Sequence, residues 1–215
     1  IIDKHCDIVL VGDSLGSVLY NYETTRKVSL KTMIEHSKSV KKGITKSLMV
    51  VDMPYRTYRN PKEAFRNAKY IISQTGCDAV KIEGGKKIIK IIKHLVENKV
   101  QVMGHVGLLP QSEKGKFSFK GKTEIEKKRI FNDAKLLVSA GVFSIVLECT
   151  EKFLAQKITS SIKIPTIGIG ASAYCDGQIL VTDDLLGLNS VNYRFVKKYA
   201  NLTKIIDRAA RNFKQ

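Results

Sequence analysis

The sequence predicts an α/β fold on a parallel sheet, and three observations carry that reading. Short β-branched runs alternate with longer amphipathic stretches along the 215 residues. Most of the runs are almost continuously apolar, as strands covered by helices on both faces are. No linker, low-complexity tract or internal repeat interrupts the alternation, so one domain over residues 1–215 is expected. This order leaves two architectures, an open doubly wound sheet or a closed (β/α)8 barrel.

The runs fall at residues 7–11, 47–52, 79–83, 100–105, 143–148, 166–169 and 178–181. That makes seven strands where a closed barrel needs eight. The expectation is a (β/α)8 barrel of TIM type lacking its first strand, which would precede Ile1. The helices between the runs have readable ends. Ser29 can cap a helix carrying Leu30, Met33, Ile34 and Val40, stopped at Gly43. Asn60-Pro61 followed by Glu63 is a helix start with Pro at the first position, and that helix ends near Gly76. Ile88, Ile89, Ile91, Ile92, Leu95 and Val96 make one apolar face. Another helix is expected over about 123–140, ending at Gly141. A last one carries Phe195, Val196, Tyr199, Leu202, Ile205 and Ile206. The only long polar stretch, 112–122, lies between a strand and a helix, where an active-site loop would sit.

Composition narrows the function classes. Lys+Arg number 37 against 20 Asp+Glu, a formal net charge of +17, with 43% hydrophobic residues. No apolar stretch approaches the roughly 18–20 residues of a membrane span. The N-terminal IIDKHCDIVLVGD runs directly into a strand, so no signal peptide is expected. Cys6, Cys77, Cys149 and Cys175 have no CxxC spacing and read as reduced core residues of a cytoplasmic protein. The lysines are spread along helices (Lys86, Lys87, Lys90, Lys93, Lys127, Lys128) and are not interleaved with stacking aromatics. The charge therefore reads as solvated faces, and nucleic acid is not an expected partner.

The chemistry concentrates where the strands end. The successive runs finish in Gly12-Asp13-Ser14, Asp52-Met53-Pro54, Lys81-Ile82-Glu83, Gly104-His105-Val106 and Leu147-Glu148-Cys149. In either architecture this edge of the sheet binds ligands. Carboxylates brought together there repel one another unless a cation or protons intervene. Asp13, Asp52, Glu83 and Glu148 therefore point to a hard divalent metal of the Mg²⁺ type. One carboxylate is left over as proton acceptor. Lys81 projects to the same side as Glu83 and can neutralise a substrate carboxylate. The Ser14 hydroxyl is a donor to the same group. His105 has a supporting or substrate-facing role, or else is a packing histidine. HExxH and P-loop patterns are absent.

These motifs, in this order, resemble the ketopantoate hydroxymethyltransferase family. The matching stretches are VLVGDSLG at 9–16, DMPY at 52–55, VKIEGG at 80–85, GHVGLLPQS at 104–112, VLEC at 146–149, and IPTIGIGA with CDGQILV within 164–181. The resemblance implies a (β/α)8 barrel, here shortened at both ends relative to the family. It also implies a divalent metal, usually Mg²⁺, with 5,10-methylenetetrahydrofolate as one-carbon donor to a 2-keto acid. It makes Asp13, Asp52 and Glu83 the metal-associated acids. Asp13, Ser14, Asp52 and Lys81 would hold the keto acid, and Glu148 would accept the proton. It further implies a large homo-oligomer. Two segments depart from the family pattern: the loop EKGKFSFKGK at 113–122, and LYNYETTRKV at 19–28. Other readings are a metal-dependent C–C lyase or mutase acting on a 2-keto acid, and an inactive relative.

Overall fold

Among the described residues seven strands form one sheet in the order β1-β2-β3-β4-β5-β6-β7. They are β1 (Ile8–Val11), β2 (Leu48–Asp52), β3 (Ala79–Glu83), β4 (Val102–Gly107), β5 (Ser144–Glu148), β6 (Thr166–Ile169) and β7 (Gly177–Gln178). Each neighbouring pair from β1 to β6 is parallel. A doubly wound sheet reverses direction at a switch point. Here every strand lies beside the one before it, which is the winding of a barrel wall and decides between the two expected architectures. The computed structural model describes residues 1–113, 118–189 and 196–214. It divides into two units, Ile1–Gly177 and Gln178–Gln215.

In the first unit the helices are α1 (Leu15–Val18), α2 (Leu30–Lys41), α3 (Pro61–Thr75), α4 (Ile89–Glu97), α5 (Glu124–Ser139) and α6 (Lys152–Ser161). Their ends follow from side-chain chemistry. Ser29, Asn60 and Thr123 each accept a backbone N–H from the first turn of α2, α3 and α5. Helix α3 closes on Gly76 in the left-handed region. Met33, Ala68, Ile71, Ile92, Leu95, Ala134 and Leu137 bury completely against the strands. The strand residues Val50, Val51, Val80, Ile82 and Ile145 are equally inaccessible, as expected where helices cover a parallel sheet.

In the second unit α7 (Thr182–Leu186) ends on left-handed Gly187, whose carbonyl accepts the Thr203 hydroxyl at the start of α8 (Leu202–Lys214). No residue of α8 is buried. Among the described residues no helix is long and apolar enough to cross a membrane.

Three expectations need correction. The last helix starts at Leu202, so Val196 and Tyr199 precede it, and Phe195 lies outside the described residues. The run 178–181 is strand only at Gly177–Gln178, because Val181 already caps α7. Helix α6 was not expected: its cap is Glu151, which accepts from the Phe153 and Leu154 N–H groups, and Glu is outside the usual capping set. Residues 114–117 of the polar loop also lie outside the described residues.

Candidate active site

Strand register assembles the site. Asp52 pairs with Lys81 across β2 and β3. Two residues on, Glu83 pairs with His105 across β3 and β4. Two further on, Gly107 pairs with Glu148 across β4 and β5. Side chains two apart share a face, so Asp52, Lys81, Glu83, His105 and Glu148 step diagonally along one face of the sheet.

Lys81 Nζ lies 2.9 Å from Asp52 Oδ1 and 3.2 Å from His105 Nδ1. The Asp52 contact is a buried, charge-assisted pair, and Oδ1 has no other partner among the described residues. Asp52 Oδ2 accepts the Asp13 backbone N–H at 2.9 Å. Across the site His105 Nε2 stands 3.3 Å from Glu148 Oε2 without hydrogen-bond alignment. The Glu148 side chain keeps 20% exposure, against 5% or less for Lys81, Asp52, Glu83 and His105. Glu148 is thus the most accessible acid on this face. Ser14 opens α1, and its hydroxyl makes no capping bond.

Burial sets the protonation of these groups. It raises the Asp13 carboxyl pKa, and the Asp52 charge adds to that; Lys81 and a bond from Gln111 offset only part. Burial also raises Glu83 well above its ordinary value, against the pull of Lys81. For Lys81 burial opposes the charge, but Asp52, Glu83 and Asp13 together outweigh it and hold the ammonium protonated. His105 is lowered by burial and then by Lys81, so its imidazole is neutral.

The sequence reading gave no role to Gln111, which is 2% exposed. Its Nε2 donates to Asp13 Oδ2 at 2.8 Å and to the Met53 carbonyl at 3.0 Å. Its Oε1 accepts the Tyr58 hydroxyl at 2.6 Å. Its N–H donates to Glu83 Oε2 at 3.0 Å, and its carbonyl accepts Arg26 Nε at 2.7 Å. Burial, then the charges of Glu83, Asp13 and Asp52, raise the Tyr58 pKa, so its hydroxyl stays a donor. One glutamine therefore ties the loop after β4 to acids from β1 and β3. The signal for it was its place in the GHVGLLPQS motif; its partners are remote in sequence.

The donor set fits a hard divalent cation. Three buried carboxylates, Asp13, Asp52 and Glu83, face a single ammonium, that of Lys81. The three acids do not gather at one point: among the described residues no three His, Cys, Asp or Glu side chains converge to hold an ion. Glu83 is turned instead toward Gln111 and, at 3.9 Å, His105.

The whole chain, residues 1–215, matches the family model described as ketopantoate hydroxymethyltransferase. It is 65% identical to the 3-methyl-2-oxobutanoate hydroxymethyltransferase of Pelagibacter ubique (strain HTCC1062), over all of this chain and 83% of that protein. It is 49% identical to the enzyme of the same name from Anaplasma marginale (strain Florida), over 96% of this chain and 75% of that one. Its backbone is similar to 2,3-dimethylmalate lyase, a PEP mutase/isocitrate lyase superfamily member, with a TM-score of 0.59. That likeness covers 98% of this chain and 72% of the lyase at 12% identity, and it is one of fold alone.

Proposed function

The chain belongs to the ketopantoate hydroxymethyltransferase family, and from that premise we propose that it transfers a hydroxymethyl group from 5,10-methylenetetrahydrofolate to 3-methyl-2-oxobutanoate, giving 2-dehydropantoate for pantothenate synthesis. The observation that carries the reading is Glu148, the accessible carboxylate at the end of a face whose other acids are buried behind Lys81 and His105.

Each residue then has a task. The buried Lys81 ammonium and the Ser14 hydroxyl bind the keto acid carboxylate. Glu148 removes the proton at C3 of the substrate. His105, neutral and facing Glu148, steadies that carboxylate as it takes the proton. Water cleaves the two C–N bonds that hold the one-carbon unit, so tetrahydrofolate leaves with both nitrogens protonated and the carbon is freed at the formaldehyde level. The carbanion equivalent at C3 adds to that carbon, and its oxygen takes up a proton to become the new hydroxyl. A Mg²⁺-type ion would be held by Asp13 and Asp52, one or two carboxylates being enough when substrate and waters complete the shell. Glu83 sits on the same strand as Lys81, held by the Gln111 N–H. When bound, the ion supplies Lewis-acid polarisation of the 2-oxo group.

The test is solvent deuterium exchange at C3 of 3-methyl-2-oxobutanoate, followed by NMR with Mg²⁺ and without folate. Mg²⁺-dependent exchange that disappears in Glu148→Gln supports the assignment. A folded protein that exchanges nothing overturns it.

A further inference from the structure

We infer that Arg26, Tyr55 and Arg56 form a subsite at the rim of the active site for the carboxylate-bearing end of the cosubstrate. The inference rests on the folate reading above and adds where the tail of that molecule goes.

Tyr55 follows Asp52-Met53-Pro54 at the end of β2, and Arg56 follows it with a left-handed φ of 66°. Arg26 arrives from the turn Thr25–Lys27, inside the segment that departs from the family pattern. The Arg26 guanidinium carbon lies 4.9 Å from the Tyr55 ring centroid, and that of Arg56 lies 5.2 Å from it. The two cations are therefore within about 10 Å of each other, one Debye length at 0.1 M salt. Arg26 is also oriented, because its Nε donates to the Gln111 carbonyl.

Among the described residues neither guanidinium has a carboxylate partner, whereas nearby Arg59 pairs with Glu63 at 2.8 Å. Two cations held on one ring without counter-charge form a place for an anion. Gln111 links this rim to the acids: its carbonyl meets Arg26 and its side-chain amide meets Asp13. The site is thus acidic in its depth and basic at its lip. A cosubstrate with its reactive carbon at one end and carboxylates at the other is oriented by that gradient, tail outward. The small keto acid has its own cation in Lys81, so the outer pair suits the larger molecule.

The test is calorimetric binding of tetrahydrofolate and of tetrahydropteroate, which shares the ring system but lacks the glutamate. Wild-type protein should prefer tetrahydrofolate about tenfold, the worth of roughly one charge-assisted contact, and the preference should shrink with added salt. In Arg56→Gln, an exposed position that leaves the core untouched, and in Arg26→Gln, the preference should fall close to unity. An unchanged preference in both variants overturns the subsite, as does a wild-type protein that binds the two compounds equally. If the variants weaken 3-methyl-2-oxobutanoate binding instead, the pair serves the other carboxylate and the inference is wrong. Wild-type protein that binds neither pterin removes the folate reading along with it.

Discussion

Lys81 Nζ lies 3.2 Å from Nδ1 of His105, and this contact decides which imidazole nitrogen carries the proton. An ammonium has only donors, so Nδ1 must be the acceptor. The ring is neutral because burial and the Lys81 charge lower its pKa. The proton then sits on Nε2, which faces Glu148 Oε2 at 3.3 Å. Nitrogen-15 NMR of the histidines should show a neutral, Nε2-protonated His105 at pH 7. His105→Gln keeps a donor in reach and should slow C3 exchange less than His105→Ala, which should lose on the order of 10²-fold. Equal rates in the two variants would remove the positioning role.

Gln111 is the next place to cut. Its amide satisfies the Tyr58 hydroxyl and one oxygen of Asp13 inside the site. Gln111→Ala leaves the Tyr58 hydroxyl, Asp13 Oδ2 and the Met53 carbonyl without this partner, at about 1–3 kcal/mol for each that stays buried. Urea unfolding should report that loss, with Tyr58→Phe costing less because it removes a donor together with its own need for a partner. Steady-state kinetics should show KM for the keto acid rising more than kcat falls, since Asp13 loses its orientation while Glu148 is untouched. A pure kcat effect would argue against this division.

The strand ends were legible because a parallel sheet delivers them all to one edge. Asp13, Asp52, Lys81, Glu83, His105 and Glu148 were named from that rule, and five of them share one face by register. The capped helices were legible too, since Ser29, Asn60 and Thr123 are ordinary caps. Gln111, Tyr58 and Arg26 were not. Their partners lie 28 to 98 residues away in sequence for Gln111, and no periodicity encodes a contact of that kind. The short extent of β7 was hidden for another reason: Ile179, Leu180 and Val181 have strand propensity, but the chain turns into α7 there.

Gly107 holds the carbonyl beneath the proposed base. Its φ is 96°, and a Cβ there would overlap the Glu148 carbonyl oxygen and the Thr150 hydroxyl. The Leu108 N–H donates to that same carbonyl at 2.9 Å. Gly107→Ala should therefore destabilise the protein by about 2–5 kcal/mol, combining positive-φ strain with overpacking. It should also depress C3 exchange in whatever protein folds. A melting temperature equal to wild type would mean that β4 and β5 separate there at little cost.

Far from the site, Asp3 makes an acid-sensitive clasp. Its carboxylate accepts the Ser47 N–H at 2.8 Å, the Thr45 hydroxyl at 2.7 Å, and the Thr45 and Lys46 N–H groups. The Ser47 hydroxyl answers by donating to the Asp3 and Cys6 carbonyls. The entry to β2 is thus pinned to the N-terminal turn. These bonds, the Ser47 N–H first, hold the Asp3 pKa well below its ordinary value. The folded protein binds that proton less readily than the unfolded chain, so the clasp is at full strength above the unfolded value of about 3.9 and weakens as pH falls below it. Asp3→Asn replaces an all-acceptor group with one that turns N–H toward N–H. The variant should melt below wild type at pH 7, and the gap should narrow at pH 3, where the unfolded chain already takes up the proton and part of the clasp's contribution is gone. Melting curves at the two pH values decide it: a constant gap would mean that Asp3 acts through packing rather than charge.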